Sequence, residues 1–211
     1  MQMPFHYHRY DLPDSLVLEG DLAIDTEAMG LRIGRDRLCL VQLCDRAGSI
    51  HLVHFPTPDY AAPRLRALLM DESRVKIFHF ARFDLGMLRY YLECDLRSVF
   101  CTKMASKLAR TYSDQHGLKD LCREYLGVTL SKQQTSTDWG APNLTKEQQE
   151  YAASDVVYLH RIFDRLMEQL ERLGRVEIAK ACSDFLTHRV TLDLMHFDVG
   201  DIFSHHSSSV S

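Results

Sequence analysis

Much that would give a chain of 211 residues an immediate reading is missing from this one. Its six cysteines form no C-x-x-C pair. That argues against a zinc knuckle or a redox dithiol and leaves small buried thiols of a reducing compartment. Its eleven histidines form neither H-E-x-x-H nor a Cys/His cluster. There is no run of 18 apolar residues, and the start MQMPFHYHRY lacks the basic-then-apolar order of a signal peptide. No membrane partner and a cytoplasmic location are therefore expected. Internal repeats and long linkers are absent too. A net charge of −4 argues against a protein coated over its whole surface by nucleic acid, though not against local recognition.

What is present reads as one soluble α/β domain spanning residues 1–211, with 45% hydrophobic and 26% charged residues. Apolar strand candidates at 22–26, 38–44 and 50–55 are separated by GLRIGRDR and DRAGS and are suited to a meander. Pro56 and Pro58 then break the pattern. Residues 61–70 read as a helix, RVKIFHF at 74–80 as another strand, and ARFDLGMLRYYL as the helix after it. Helices are expected over 101–110, 117–126, 146–170 and 173–187. A mixed sheet followed by mostly helices is the expected order.

Four carboxylates stand out against this background. Asp25 and Glu27, in AIDTEAMGL, lie two apart in a strand and so share a face. Side by side they repel and raise a shared pKa unless a cation or hydrogen-bond donor compensates. Mg²⁺ or Mn²⁺ would do so, as would a bland arrangement with one acid capping a turn and the other facing water. Asp84 follows a strand at the start of a helix, on a face turned toward the core. Pairing with Arg82 or Arg89 is its simplest structural explanation. Tyr151 and Asp155, in EQQEYAASDVVYLH, lie one helical turn apart. Thr145 and Gln148 have the spacing of a capping box at the start of that helix.

In order, these residues read D-x-E, then F-D, then Y-x-x-x-D, with SKQQTSTDWG before the last. The chain resembles the ribonuclease D-like exonucleases of the DEDD superfamily, in the variant with a tyrosine in its third motif. It is most similar to a branch of small oligoribonucleases, over GRDRLCLVQL, KIFHFARFDL, FCTKMASKLARTYSDQHGLK, YAASDVVYLH and LDLMHFDVGDIFSHH. The resemblance implies a ribonuclease H-like fold whose catalytic core covers about 15–170, with helices and a tail over 171–211. It also implies two divalent ions, Mg²⁺ or Mn²⁺, held by Asp25, Glu27, Asp84 and Asp155, with Tyr151 catalytic. Expected with these are 3′-5′ hydrolysis of short single-stranded RNA, dinucleotides above all, to nucleoside 5′-monophosphates, and assembly into a ring-shaped octamer.

The chemistry suits a phosphodiester, which must have its charge neutralised while a water is activated. Asp25 is the candidate bridge between two ions, with Glu27 and Asp155 on one and Asp84 on the other. A phenol of pKa near 10 is a poor free base, so Tyr151 is expected to orient the attacking water. Substrate contacts are expected from Leu31, as a wedge between bases, and from His79 and Phe83 beside Asp84. Lys103, Lys107 and Arg110, at helical spacing on one face, and His116 are candidates for phosphate. Met104 and Leu108 would pack inward. The same acids would equally serve a broader exonuclease on longer RNA or single-stranded DNA. A non-catalytic scaffold is disfavoured because no metal acid is missing. The apolar residues Val190, Leu192, Leu194, Met195, Phe197, Val199, Ile202 and Phe203 are expected to pack against a neighbouring subunit, with folding back on their own domain as the alternative.

Overall fold

The computed structural model describes residues 4–130, 138–197 and 202. Six strands form one mixed sheet: β1 (His6–Arg9), β2 (Leu22–Ala28), β3 (Leu38–Asp45), β4 (Ile50–His54), β5 (Lys76–Phe78) and β6 (Val99–Cys101), in the order β1-β4-β3-β2-β5-β6. The expected meander is present, since β2 pairs antiparallel with β3 and β3 with β4. β5 joins β2 in parallel and β6 joins β5 in parallel.

Two strands have no counterpart in the sequence reading. β1 is polar, HYHR, and docks in parallel on β4, a pairing between segments far apart in the chain that local periodicity does not register. β6 is only three residues long and runs straight into a helix, so VFC merges with the helical pattern that follows. β5 is shorter than the expected 74–80 because the backbone turns left-handed at Phe80, with φ 68°.

The helices are α1 (Pro63–Leu69), α2 (Arg82–Tyr91), α3 (Thr102–Ala109), α4 (Leu118–Leu126), α5 (Lys146–Val156), α6 (Leu159–Arg172) and α7 (Val176–Leu194). The single helix expected over 146–170 is two. The break at Val157 and Tyr158 lets α5 lie across β2, β3 and β4 while α6 turns to pack on α3 and α4. α7 runs about two turns beyond the expected end at 187, to Leu194. α4 stops at Gly127, whose φ of 66° is the left-handed conformation that closes helix C-termini.

The sheet is covered on both faces. Leu22 and Ile24 pack with Leu85, Met87 and Leu88 of α2, while Ala23 on the other face packs with Ala152, Ala153 and Val156 of α5. Both helices are thereby fixed against β2, the strand that carries Asp25 and Glu27. Each fully buried aliphatic side chain contributes roughly 1.5–3 kcal/mol to that anchoring. Val190 joins the α2 side of the core and Leu194 packs against it, so the first part of the apolar tail folds back on its own domain. Met195, Phe197 and Ile202 are exposed. Val199 and Phe203 lie outside the described residues.

No helix among the described residues is long and apolar enough to cross a membrane. All six cysteines are free and five are buried, as expected of small core side chains.

Candidate active site

β2 pairs with β5 only through Leu22 and Ala23, then continues past it with β3 as its one neighbour. Asp25, Thr26 and Glu27 therefore stand at the carboxyl edge of the parallel strands, where helices from both faces reach them. α5 supplies Tyr151 and Asp155 on the face of Asp25 and Glu27. Its register is set by the expected capping box: Gln148 N donates to Thr145 Oγ1 at 3.2 Å and Thr145 N donates to Gln148 Oε1 at 2.7 Å. α2 brings Asp84 from the other side, where Thr26 Oγ1 donates to Asp84 Oδ1 at 2.6 Å.

Among the described residues, Asp25, Glu27 and Asp155 form the one acidic group whose carboxylate oxygens all lie within 4.8 Å of one another. Asp84 stands just outside that triad but close enough to repel both Asp25 and Glu27. Its carboxyl is buried and answered by Thr26 rather than by Arg82 or Arg89. Arg82 is engaged with Asp193, and Arg89 with Thr191 and Asp95.

The electrostatics follow from this crowding. Burial, then the charges of Asp84, Asp155 and Glu27, push the Asp25 carboxyl well above the ordinary range. Glu27 is pushed up to about 8 by burial and by Asp155 and Asp84. Burial also raises Asp84, against the opposing Thr26 hydroxyl. Asp155 is raised by burial against a hydrogen bond from Tyr151 and the charge of Lys119. The Tyr151 phenol is pushed upward by burial, Asp155 and Glu27, and so keeps its proton. Four acids with so little compensating positive charge suit hard divalent cations with oxygen ligands. The donor set fits Mg²⁺ or Mn²⁺.

A cavity of about 990 Å³ meets the acids at Asp25 and Asp84 and extends toward α7. His79 and Phe83 line it, as does Leu31, which is 83% exposed and so is not a core residue. Two close approaches hold the Leu31 loop. Asp36 accepts from Arg32 N at 2.9 Å, and a Cβ at Gly30 would lie 2.4 Å from that carboxylate. Ile33 sits against Gly86 of α2, where a Cβ would come within 2.4 Å.

The basic residues divide differently from the expectation. Arg110 is fully buried. Its guanidinium pairs with Glu124 and donates to Ser106 Oγ and the Gln115 carbonyl, so it locks α3 to α4 and offers no surface to a phosphate. The reason is positional: at the C-terminal end of α3 its side chain turns into the α3–α4 junction instead of continuing the outer face. His116 is part of the same junction through Ser106. Lys107 is exposed and lies outside the cavity wall. Lys103 places its ammonium 4.4 Å from the centre of the Phe80 ring. Met104 and Leu108 are partly buried against the core, as expected.

Several site residues went unread in the sequence. Thr26 is the donor to Asp84. Gln42, opposite Asp25 in the β2–β3 register, reaches Asp25 Oδ2 at a long 3.5 Å. A buried glutamine inside LCLVQLCD was its signal. Lys119 on α4 is the cation nearest Asp155 in effect, and Trp139 packs its ring 6.2 Å from Tyr151.

Residues 11–171 match a family model described as 3′-5′ exonuclease. Ribonuclease D of Gluconacetobacter diazotrophicus is 35% identical over 156 residues, which are 74% of this chain and 39% of that protein. The chain thus spans about two fifths of the length of the curated relatives it matches. The crystal structure of Escherichia coli RNase D superposes with a TM-score of 0.71 at 31% identity, covering 81% of this chain and 44% of that one. Brucella melitensis NrnC superposes with a TM-score of 0.93 at 49% identity, covering 97% of this chain and 100% of the NrnC chain. With the acids of the three motifs gathered at one sheet edge and these likenesses over most of its length, the chain belongs to the 3′-5′ exonuclease family of ribonuclease D and NrnC.

Proposed function

We propose that this protein is a metal-dependent 3′-5′ exoribonuclease that removes nucleoside 5′-monophosphates from short RNA, with dinucleotides as its foremost substrates. The observation that carries the reading is the triad of Asp25, Glu27 and Asp155 within 4.8 Å, joined by Asp84 and bordered by Tyr151. The dinucleotide preference is supported by Brucella melitensis NrnC, 48–49% identical in forms solved with pGG and with Mg²⁺.

Two divalent ions, when bound, neutralise the scissile phosphate, lower the pKa of a water and stabilise the departing 3′ oxygen. Asp25, Glu27, Asp155 and Asp84 would hold them, with Asp25 as the candidate shared ligand, Glu27 and Asp155 serving one ion and Asp84 the other. Tyr151 Oη, protonated and donating its one hydrogen to Asp155, would orient the attacking water by accepting from it and not as a base that deprotonates it. Leu31 stands as an apolar wedge at the cavity mouth, and His79 and Phe83 form the wall beside Asp84. Lys119 supplies positive charge near Asp155, and Lys103 does so beside His79.

Product analysis with 5′-labelled RNA of two to ten nucleotides, with Mg²⁺, Mn²⁺ or EDTA, tests the reading. The expected result is stepwise shortening from the 3′ end, abolished by EDTA, with the dinucleotide turned over fastest at matched low concentration. Equal turnover of long RNA or single-stranded DNA would replace it with the broader exonuclease. No shortening with either ion would overturn it.

Ring assembly belongs to the same proposal. It is supported by the exposed apolar residues Met195, Phe197 and Ile202 beyond α7, a surface that closed symmetry would cover.

A further inference from the structure

We propose that Phe80 is a nucleobase-stacking platform in the cavity beside Asp84, presented by a strained backbone and braced on one side by Lys103. This rests on the exonuclease reading above and adds to it a residue that decides how bases are held.

Three independent features of Phe80 lead here. Its φ of 68° lies in the left-handed region, an outlier for a bulky side chain, and such outliers persist only where the surroundings over-determine them. The neighbours do so: Phe78 and Ala81 are fully buried, and His79 Nδ1 lies 2.9 Å from Thr102 Oγ1, which itself donates to the Phe78 carbonyl. With both sides pinned, the chain reverses locally and Phe80 is turned away from the core.

The second feature is where it goes. Phe80 lines the same cavity as Asp25, Asp84 and Leu31, yet it is 52% exposed, although a phenyl ring gains most from burial. Among the described residues the ring has one cation–π partner, Lys103, and no place in the hydrophobic core. The third is the Lys103 ammonium, 4.4 Å from the ring centre, a cation–π contact that occupies part of the ring and fixes its tilt. An aromatic ring with a cation on one side and open space on the other, a few residues from acids that would bind metal, suits a base of a short single strand. Stacking is indifferent to base identity because every base has a π-face.

Affinity measured without turnover decides the matter. In the Asp25→Asn background with Mg²⁺, the dissociation constant of 5′-phosphorylated diguanylate is compared with those of its two singly abasic analogues. Phe80→Ala is expected to weaken the intact dinucleotide about tenfold, equivalent to about 1.4 kcal/mol. Phe80→Trp keeps affinity within threefold. With one abasic analogue the effect of Phe80→Ala vanishes, and with the other it persists. Phe80→Gly loses the same affinity as Phe80→Ala but melts at a higher temperature, because glycine accepts the left-handed conformation. In the otherwise unaltered enzyme the loss falls on KM and not on kcat.

An unchanged dissociation constant in Phe80→Ala, a loss that persists with both abasic analogues, or no binding even with Phe80 intact would each overturn the platform. If the unaltered protein releases no GMP from diguanylate with Mg²⁺ or Mn²⁺, the exonuclease reading fails by itself. The binding comparison then still decides the role of Phe80.

Discussion

At Asp25 burial and three neighbouring carboxylates all oppose ionisation, so the site must take up protons or a cation. The folded state holds this group and Glu27 above their unfolded pKa values. Their contribution to stability is therefore complete below about pH 4 and is lost as pH rises through the folded values, about 8 for Glu27. The metal-free protein should accordingly melt at a falling temperature from pH 5 to pH 8, and Mg²⁺ or Mn²⁺ should reverse the fall. Asp25→Asn should abolish hydrolysis while raising the metal-free melting temperature at pH 8, with the difference shrinking at pH 5. Calorimetry across that range checks both, and turnover near the parent rate would sink the bridging assignment. Tyr151→Phe removes a donor and no charge. Its rate should fall roughly 10²- to 10⁴-fold, the usual scale for positioned proton donors and acceptors. Ion affinity measured by titration should hardly change, and a collapse would make Tyr151 a ligand or its immediate support.

Among the elements, the α3–α4 junction shows how one residue of a helical pattern can leave it. Lys103, Lys107 and Arg110 share a face by spacing, yet Arg110, itself buried, pairs with the partly exposed Glu124 and donates to Ser106 and the Gln115 carbonyl. Removing one member of such a network leaves uncompensated polar groups. Arg110→Ala should therefore cost about 1–3 kcal/mol in urea unfolding, while leaving KM for a dinucleotide unchanged. A raised KM with normal stability would return Arg110 to the substrate site. α5 shows the opposite case. Its capping box and its Tyr151–Asp155 spacing were both legible, because capping and the helical period are local properties of the chain.

Over the whole molecule, α7 divides the apolar tail into two fates. Val190 and Leu194 belong to the domain, and Asp193 ties α7 to Arg82 of α2 by two hydrogen bonds of 2.6 Å. Truncation must therefore fall after His196 to leave the core intact. Removal of residues 197–211 should keep the melting temperature within a few degrees, reduce the mass in solution and raise the turnover of longer RNA relative to a dinucleotide. An unchanged mass with an unchanged length preference would exclude a role for the tail in assembly.

By itself the sequence determined the meander, the shared face of Asp25 and Glu27, and the turn that joins Tyr151 to Asp155. Each depends only on periods of two or 3.6 residues within one element. Tertiary structure decided the rest: that Thr26 answers Asp84 from across β2, that Leu31 and Phe80 are exposed in one cavity, that Arg110 is buried, and that β1 docks on β4 as an edge strand. These depend on which residues distant in the chain share a surface, and no local period encodes that.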